Sequence, residues 1–294
     1  MTSSGSRIGL CWQRVFTVVA FLGLVTLGTG ARASGSDSSD QHRLKIRVES
    51  GEFGRVATAE LALVLQSAGE QVWQQCPDID LDGIEVYRRS DHSQTDFKRN
   101  WNGRIRVGLT ARDTYWTQYS FQFAHEFVHV LALFGNNHGR SRAPNPANLW
   151  LEESLGEANS LFTLESMSRS WKTAPLAPAW ADYAPNFDRY VQERLTAPEH
   201  LLPQGINFQT WFRQHEAALR QNATLFDQNA IIAQECLPLF KARPDGWRSL
   251  AYLNSAGWTA NESLADHLAH WQRECPSDLR PFVAQLAALF GVEL

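Results

Sequence analysis

The chain is poor in cysteine, lacks a basic stripe and contains no internal repeat. Its four cysteines do not have the spacing of a cysteine-ligated zinc site. The missing basic stripe argues against nucleic acid or an anionic membrane as the main partner, because both are bound through clustered Lys and Arg. With these classes excluded, information about function has to come from local motifs.

Residues 1–33 have the composition of a secretory signal peptide. Arg7 and Arg14 give a positive start, residues 15–27 form a short apolar run, and residues 31–33 read Ala-Arg-Ala, an A-x-A cleavage signal. The run is too short to span a membrane readily. We therefore expect an exported protein, periplasmic or secreted, with no stable membrane insertion after cleavage. The alternative is an uncleaved N-terminal anchor.

The charge balance of the remaining chain is acidic. Without Arg7, Arg14 and Arg32, 24 of the 27 basic residues remain against 31 acidic residues, a net charge of −7. This balance again argues against a nucleic-acid partner.

Residues 125–129 read His-Glu-Phe-Val-His, an HExxH motif. In a helix, His125 and His129 lie one turn apart on the same face, so both imidazoles can bind one Zn²⁺. Glu126 is then placed to act as the general base. The motif predicts a zinc-dependent hydrolase.

The surrounding segment, residues 119–134, supports this interpretation. It contains no Pro or Gly and is apolar nearly all round, which is typical of a buried helix. Two histidines and a glutamate inside such a helix are costly unless something pairs with them, and a metal pairs with all three. The alternative is a core helix whose histidines hydrogen-bond to neighbouring backbone.

A third ligand is expected from a second helix. A catalytic zinc usually takes three protein ligands and leaves one position open. A third histidine six residues after His129 is excluded, because that position is Gly135. Glu153 follows on a predicted helix and is placed to be the ligand. Glu157, one turn later, is placed to accept the other ring N–H of a ligating histidine.

Three residues compete with Glu153 for the third position: Glu152, Glu157 and His138. Glu152 points about 100° away from Glu153 around a helix, so both cannot face one metal. His138 lies in a Gly- and Asn-rich loop shortly after the motif.

These motifs resemble the gluzincin metallopeptidases, the thermolysin-like and aminopeptidase-like clan. Residues 150–155, Trp-Leu-Glu-Glu-Ser-Leu, are similar to the Trp-Leu-Asn-Glu-Gly-Phe version of the aminopeptidase branch, and the similarity covers residues 119–168. The Gly-x-Met-Glu-Asn stretch that anchors a substrate N-terminus in that branch is absent. The resemblance implies Zn²⁺ as cofactor, with ligands His125, His129 and Glu153, general base Glu126, and Glu157 as an acidic partner of His125.

Hydrophobic spacing predicts strands at 44–49, 83–88 and 104–109. It also predicts a helix at 56–75, a proline-containing linker or cleft-wall loop at 170–187, and further helices at 208–221, 224–240, 263–275 and 281–290. By resemblance, the strand at 104–109 would be an edge strand to which an extended peptide can add.

The order of these elements and the resemblance imply an α+β, zincin-like fold. In it, a small mixed or antiparallel sheet packs on the HExxH helix and is followed by an all-helical C-terminal lobe. The expected division is a signal peptide at 1–33, a zincin-like catalytic domain at 34–170 and a helical domain at 171–294.

The expected function is hydrolysis of a peptide or protein substrate, with Glu126 taking the proton of the attacking water. A downstream Tyr or His usually adds a hydrogen bond to the oxyanion, and Tyr183 and Tyr190 are the first residues to test, ahead of His215 and Tyr252. The alternatives are a non-peptidase zinc hydrolase and a zincin-fold binding protein without turnover.

The chain after the signal peptide contains Cys76, Cys236 and Cys275. Export permits disulfides, and Cys236 with Cys275 is the preferred pair. The alternative is three unpaired thiols in the core.

Overall fold

The computed structural model of the protein describes residues 42–136 and 143–294. The predicted signal peptide and the loop that carries His138 lie outside these residues. No helix in the described part of the chain is long and apolar enough to cross a bilayer.

A four-stranded mixed sheet is formed by the N-terminal part of the chain. Strands β1 (Ile46–Val48), β2 (Ile84–Arg88) and β4 (Ile105–Leu109) are parallel, and β3 (Gln94–Thr95) pairs antiparallel with β4. The strand order is β1-β2-β4-β3. The three parallel strands agree with the predicted segments, whereas the two-residue β3 was not predicted.

The structure corrects the identity of the edge strand next to the HExxH helix. The predicted edge strand at 104–109 is β4, which has β2 on one side and β3 on the other. Its side chains are largely buried, as expected for an interior strand. The short β3, residues 94–95, occupies the edge instead.

Eight α-helices are present in the described residues, and most follow the apolar spacing of the sequence. They are α1 (Thr58–Trp73), α2 (Trp116–Phe134), α3 (Leu149–Thr173), α4 (Ala184–Thr196), α5 (Phe208–Gln221), α6 (Phe226–Ala242), α7 (Leu264–Glu274) and α8 (Arg280–Leu289). The segment predicted as a loop at 170–187 instead contains the end of α3, a 3₁₀ turn and the start of α4.

Helix α2 carries the HExxH motif through the middle of the molecule. It packs against α1, α3 and the β3–β4 side of the sheet. Almost every side chain along it is buried, as its composition predicted. The fold is therefore α+β, with the sheet on one side of α2 and α3 on another.

Helix α3 connects the N-terminal half to the C-terminal helices. It runs through residue 170, the predicted boundary between two domains, and both α4 and α6 pack against it. The division into a catalytic domain and a helical domain stays a prediction, and its boundary falls inside a continuous helix.

The three described cysteines, Cys76, Cys236 and Cys275, are buried and free. The preferred Cys236–Cys275 disulfide is therefore wrong. Burial raises the pKa of the Cys76 thiol and that of Cys275 to about 12, so these groups behave as uncharged core side chains.

Candidate metal centre

Helices α2 and α3 are held together by buried polar side chains next to the HExxH motif. Asn159 donates its amide Nδ2 to the carbonyl of Ala124 at 2.7 Å. Ser160 donates its hydroxyl to the carbonyl of Phe121 at 2.8 Å. Both side chains come from α3 and reach α2 immediately before His125, so they fix the position of one helix against the other.

Gly156 allows His125 to lie directly against α3. A Cβ atom at this position would stand 2.8 Å from Nδ1 and from Cε1 of the His125 ring. Such a distance is far inside van der Waals contact, so any larger residue would displace the ring. A glycine normally weakens a helix interior, and here it provides the space that the imidazole occupies.

Three donor atoms converge between α2 and α3. The His125 Nε2 atom lies 3.1 Å from Glu153 Oε2, and His129 Nε2 lies 3.6 Å from Glu153 Oε1. One ligand atom from each residue lies within 4.8 Å of those of the other two. Among the described residues, His125, His129 and Glu153 form a group whose ligand atoms are close enough to hold one metal ion.

The electrostatics of the cluster favour a cation between these side chains. Burial alone would lower the pKa of His129, but the charge of Glu153 and the hydrogen bond to Glu152 outweigh it and raise that pKa to about 10. Burial alone would raise the pKa of Glu153, but His129 and His125 lower it to about 2. Both shifts reflect attraction between the carboxylate and positive charge on the imidazoles, and a metal ion would take the place of the ring protons.

Glu152 holds the far side of His129. Its Oε1 lies 2.6 Å from His129 Nδ1, and Asn254 donates Nδ2 to its Oε2 at 2.9 Å. The carboxylate is buried and accepts both bonds. It therefore fixes the tautomer in which Nδ1 carries the proton and Nε2 faces Glu153. From the sequence, Glu152 is a rival to Glu153 as third ligand. In the structure it is instead the hydrogen-bond partner of His129.

Glu157 does not occupy the position that the sequence predicted for it. Its Oε1 accepts a hydrogen bond from Arg194 Nε at 3.0 Å and a shorter one from the same guanidinium's NH2 group. Arg194 lies on α4, a helix that is absent from the elements predicted from the sequence. The prediction that Glu157 partners His125 is wrong, because a cation from α4 takes the carboxylate.

Glu126 lies beside the cluster and contacts β3. The Thr95 hydroxyl is 3.1 Å from Glu126 Oε2 and 3.0 Å from the Glu126 carbonyl oxygen. Both side chains are buried. The charge of Glu126 also raises the pKa of His129, behind the larger effects of burial, Glu153 and Glu152. The structure thus places the predicted general base next to the edge strand and within electrostatic reach of the ligand group.

Tyr183 lies at the beginning of α2. Its hydroxyl is 3.1 Å from the Thr117 amide nitrogen and 3.1 Å from the Thr117 hydroxyl. Thr117 precedes His125 by about two helical turns, about 12 Å along the axis. Tyr183 therefore satisfies a free N–H at the N-terminus of α2, and the structure does not bring it to the ligand group as predicted.

Tyr190 lies closer to the motif. Its ring packs edge-on against Phe121, one turn before His125, with centroids 5.2 Å apart. Burial raises the pKa of its hydroxyl to about 12, so the group is a neutral donor. Its role as oxyanion donor stays a prediction.

Several residues that shape the cluster have no motif in the sequence, namely Thr95, Gly156, Asn159, Arg194 and Asn254. Each acts across a contact between elements that are distant in the chain, so no local spacing marks it. The chain matches no protein-family model, and no curated protein or solved structure is significantly similar to it.

Proposed function

We propose that this protein is a zinc-dependent hydrolase that cleaves peptide bonds, a gluzincin-type peptidase. The observation that carries the proposal is the convergence of His125, His129 and Glu153, with Glu126 at their side. Two nitrogens and one carboxylate oxygen are a common ligand set for catalytic zinc. When bound, the metal would supply a Lewis acid that polarises a carbonyl and lowers the pKa of water.

Each residue of the chain then has a defined task. His125, His129 and Glu153 hold the metal, and Glu152 keeps His129 in the orientation that binding needs. Glu126 takes a proton from the attacking water and returns it to the leaving nitrogen. Thr95 restrains the Glu126 carboxylate through the 3.1 Å contact, which keeps its remaining oxygen available.

The position of β3 supports a peptide as the substrate. Thr95 belongs to the edge strand of the sheet and also contacts Glu126. An extended peptide that pairs with the open side of this edge would run past the general base. Export of the protein, a prediction from residues 1–33, would place this activity outside the cytoplasm.

The experiment compares the zinc-loaded protein with Glu126→Gln. We expect wild type to hydrolyse peptides from a mixed library, with loss of activity on chelation. Glu126→Gln should bind zinc equally and lose about 10²–10⁴-fold in rate, because a general base contributes that factor. Equal rates for the two proteins would remove Glu126 from the mechanism.

A parallel panel of esters and non-peptide amides distinguishes the other functions. Hydrolysis of these compounds without any peptide cleavage would identify a non-peptidase hydrolase. A zinc-loaded protein that is inert toward the whole panel would identify a binding protein without turnover.

A further inference from the structure

We propose that Asn254 is a positioning residue of the metal centre, which holds Glu152 against His129 and thereby sets how tightly a metal ion is bound. The inference adds a residue from the C-terminal half of the chain to a site that the sequence assigned to residues 34–170. It rests on the zinc site of the proposed function and not on its peptidase activity.

Asn254 reaches the metal centre through one buried carboxylate. Its Nδ2 donates a hydrogen bond to Glu152 Oε2 at 2.9 Å, and Glu152 Oε1 lies 2.6 Å from His129 Nδ1. Asn254 and Glu152 are both 3 % exposed, so bulk water does not compete for these bonds. Partners on both oxygens fix the orientation of the carboxylate, and the carboxylate fixes the direction in which His129 Nε2 points.

The neutral amide of Asn254 leaves the negative charge of Glu152 to His129. One turn further along α3, the Glu157 carboxylate is paired with the Arg194 guanidinium instead. A carboxylate that is paired with a cation has its charge compensated, whereas one that is held by an amide keeps it. The charge makes Glu152 the stronger acceptor for the ring N–H of a metal-bound histidine.

The segment that carries Asn254, residues 250–255, is a series of consecutive turns. Two backbone hydrogen bonds of 3.1 Å close these turns. Every residue of the segment is buried. Asn254 therefore approaches Glu152 from a backbone that is itself fixed, and the position of its amide follows from where the segment docks.

Gly135, directly after α2, allows the same segment to lie against the helix that carries both histidines. A Cβ atom at this position would stand 2.7 Å from Cβ of Ala251 and 3.0 Å from its Cα. The next residue, Asn136, has its Nδ2 3.5 Å from the Ser255 hydroxyl oxygen. The segment thus contacts the end of α2 at Gly135 and contacts α3 at Glu152, so it links the two helices that supply the ligands.

Metal binding and the docking of residues 250–255 are linked by these contacts. Displacement of the segment removes the donor from Glu152 Oε2, and the His129 ring loses its fixed direction. By reciprocity, a bound metal ion that needs His129 in place favours the docked segment by the same factor. The metal centre is therefore completed by residues far beyond position 170.

The test measures zinc affinity by competition with a chromophoric chelator. Asn254→Ala removes the donor to Glu152, and we expect zinc to bind about tenfold more weakly, as when other outer partners of a metal ligand are lost. Asn254→Leu keeps the approximate volume of the side chain without the donor and should behave in the same way. Asn207→Ala is the matched control, because this exposed asparagine caps α5, and its removal should leave zinc affinity unchanged.

A double-mutant cycle shows whether Asn254 acts through Glu152. In the Glu152→Ala background, adding Asn254→Ala should change zinc affinity by less than about twofold, because the side chain that Asn254 positions is gone. An asparagine that only maintained the fold would weaken zinc binding by the same factor in both backgrounds.

Gly135→Ala tests the docking of the segment while Asn254 stays in place. The φ angle of −63° at this position suits alanine, so the added methyl group acts through its contact with Ala251. We expect zinc affinity to fall in Gly135→Ala, but by less than in Asn254→Ala. An unchanged affinity would overturn the link between docking and metal binding.

Equal zinc affinity of wild type and Asn254→Ala, including the absence of zinc binding to both, would overturn the inference. A loss of affinity that is equally large in the Glu152→Ala background would also overturn it and make Asn254 a residue of the fold alone. A wild-type protein that binds zinc and hydrolyses no peptide refutes the proposed function, and the chelator competition still decides the role of Asn254.

Discussion

Two clusters in this protein combine one glutamate with two histidines, and they differ in where the side-chain atoms point. In the first, His125 Nε2 and His129 Nε2 approach the two oxygens of Glu153, and the ligand atoms lie within 4.8 Å of one another. The second, formed by Glu262, His267 and His270, lies near the N-terminus of α3.

In the second cluster the carboxylate stands between the two rings. Glu262 Oε2 lies 3.3 Å from His267 Nδ1, and Oε1 lies 2.7 Å from His270 Nδ1. Asn145 donates its amide to the same carboxylate. Oε2 is thus occupied by Asn145 and His267, and this cluster is not among the metal-holding groups of the described residues.

The comparison teaches that residue type alone does not define a metal centre. At the first cluster, Glu152 and Gly156 direct the imidazoles so that their ligand atoms converge. At the second, the backbone carbonyl of Glu262 also accepts hydrogen bonds from Asn148 and Arg220. That cluster links the start of α3 to the C-terminal helices, and we assign it a structural role.

The largest expected effect concerns stability at the second cluster. Glu262→Ala leaves the His267 imidazole and the Asn145 amide without their buried acceptor. We expect the free energy of unfolding to fall by about 3 kcal/mol or more, as for other broken buried pairs. Urea denaturation monitored by tryptophan fluorescence measures it, and zinc content should be unchanged.

Asp188→Ala is the control for removing a carboxylate. Asp188 pairs with Lys172 at 2.8 Å on the surface, and such pairs contribute about 0–1 kcal/mol. If Glu262→Ala is no more destabilising than Asp188→Ala, the Glu262 cluster does not stabilise the contact between the start of α3 and the C-terminal helices.

The next effect concerns zinc affinity and the two glutamates that flank Glu153. Glu152→Gln should lower zinc affinity about 10–100-fold, because it removes the negative charge of the acceptor that orients His129. Glu157→Gln breaks the pair with Arg194 and should leave zinc affinity unchanged. Competition with a chromophoric chelator measures both. If Glu157→Gln lowers zinc affinity and Glu152→Gln does not, Glu157 is the partner of a ligating histidine, as predicted from the sequence.

A smaller effect is expected at Gly156. Gly156→Ala places a methyl group against the His125 ring and should lower zinc affinity about tenfold, as for other changes that misorient a ligand. Helix propensity alone would favour alanine by about 1 kcal/mol. Overpacking against the buried ring costs about 1–3 kcal/mol, so stability should hold or fall slightly while zinc affinity falls. Gly257→Ala is the control, since nothing lies within 4 Å of its added Cβ.

The sequence predicted most helices and three of the four strands because their signals are local. Apolar spacing marks α1, α2 and the helices after residue 207. The HExxH spacing and the helix after residue 148 predicted a ligand group, and its two imidazoles and Glu153 converge in the structure. The angle of about 100° between Glu152 and Glu153 predicted that only one of them faces a metal.

The remaining features depend on contacts between distant segments. Strand β3 has two residues and is defined by its pairing with β4. The exchange of roles between Glu152 and Glu157 depends on where Asn254 and Arg194 arrive in the fold. Tyr183 and Tyr190 were chosen for their position after α3, and nothing local indicated that Tyr183 would bind at the start of α2.

The most direct test of the central claim is the zinc content of the purified chain and three variants, measured by elemental analysis after dialysis. We predict one zinc ion per chain in wild type and in His267→Ala, and loss of zinc in His129→Ala and in Glu153→Ala. Wild type without zinc, or a Glu153→Ala variant that keeps zinc while His267→Ala loses it, would contradict the account.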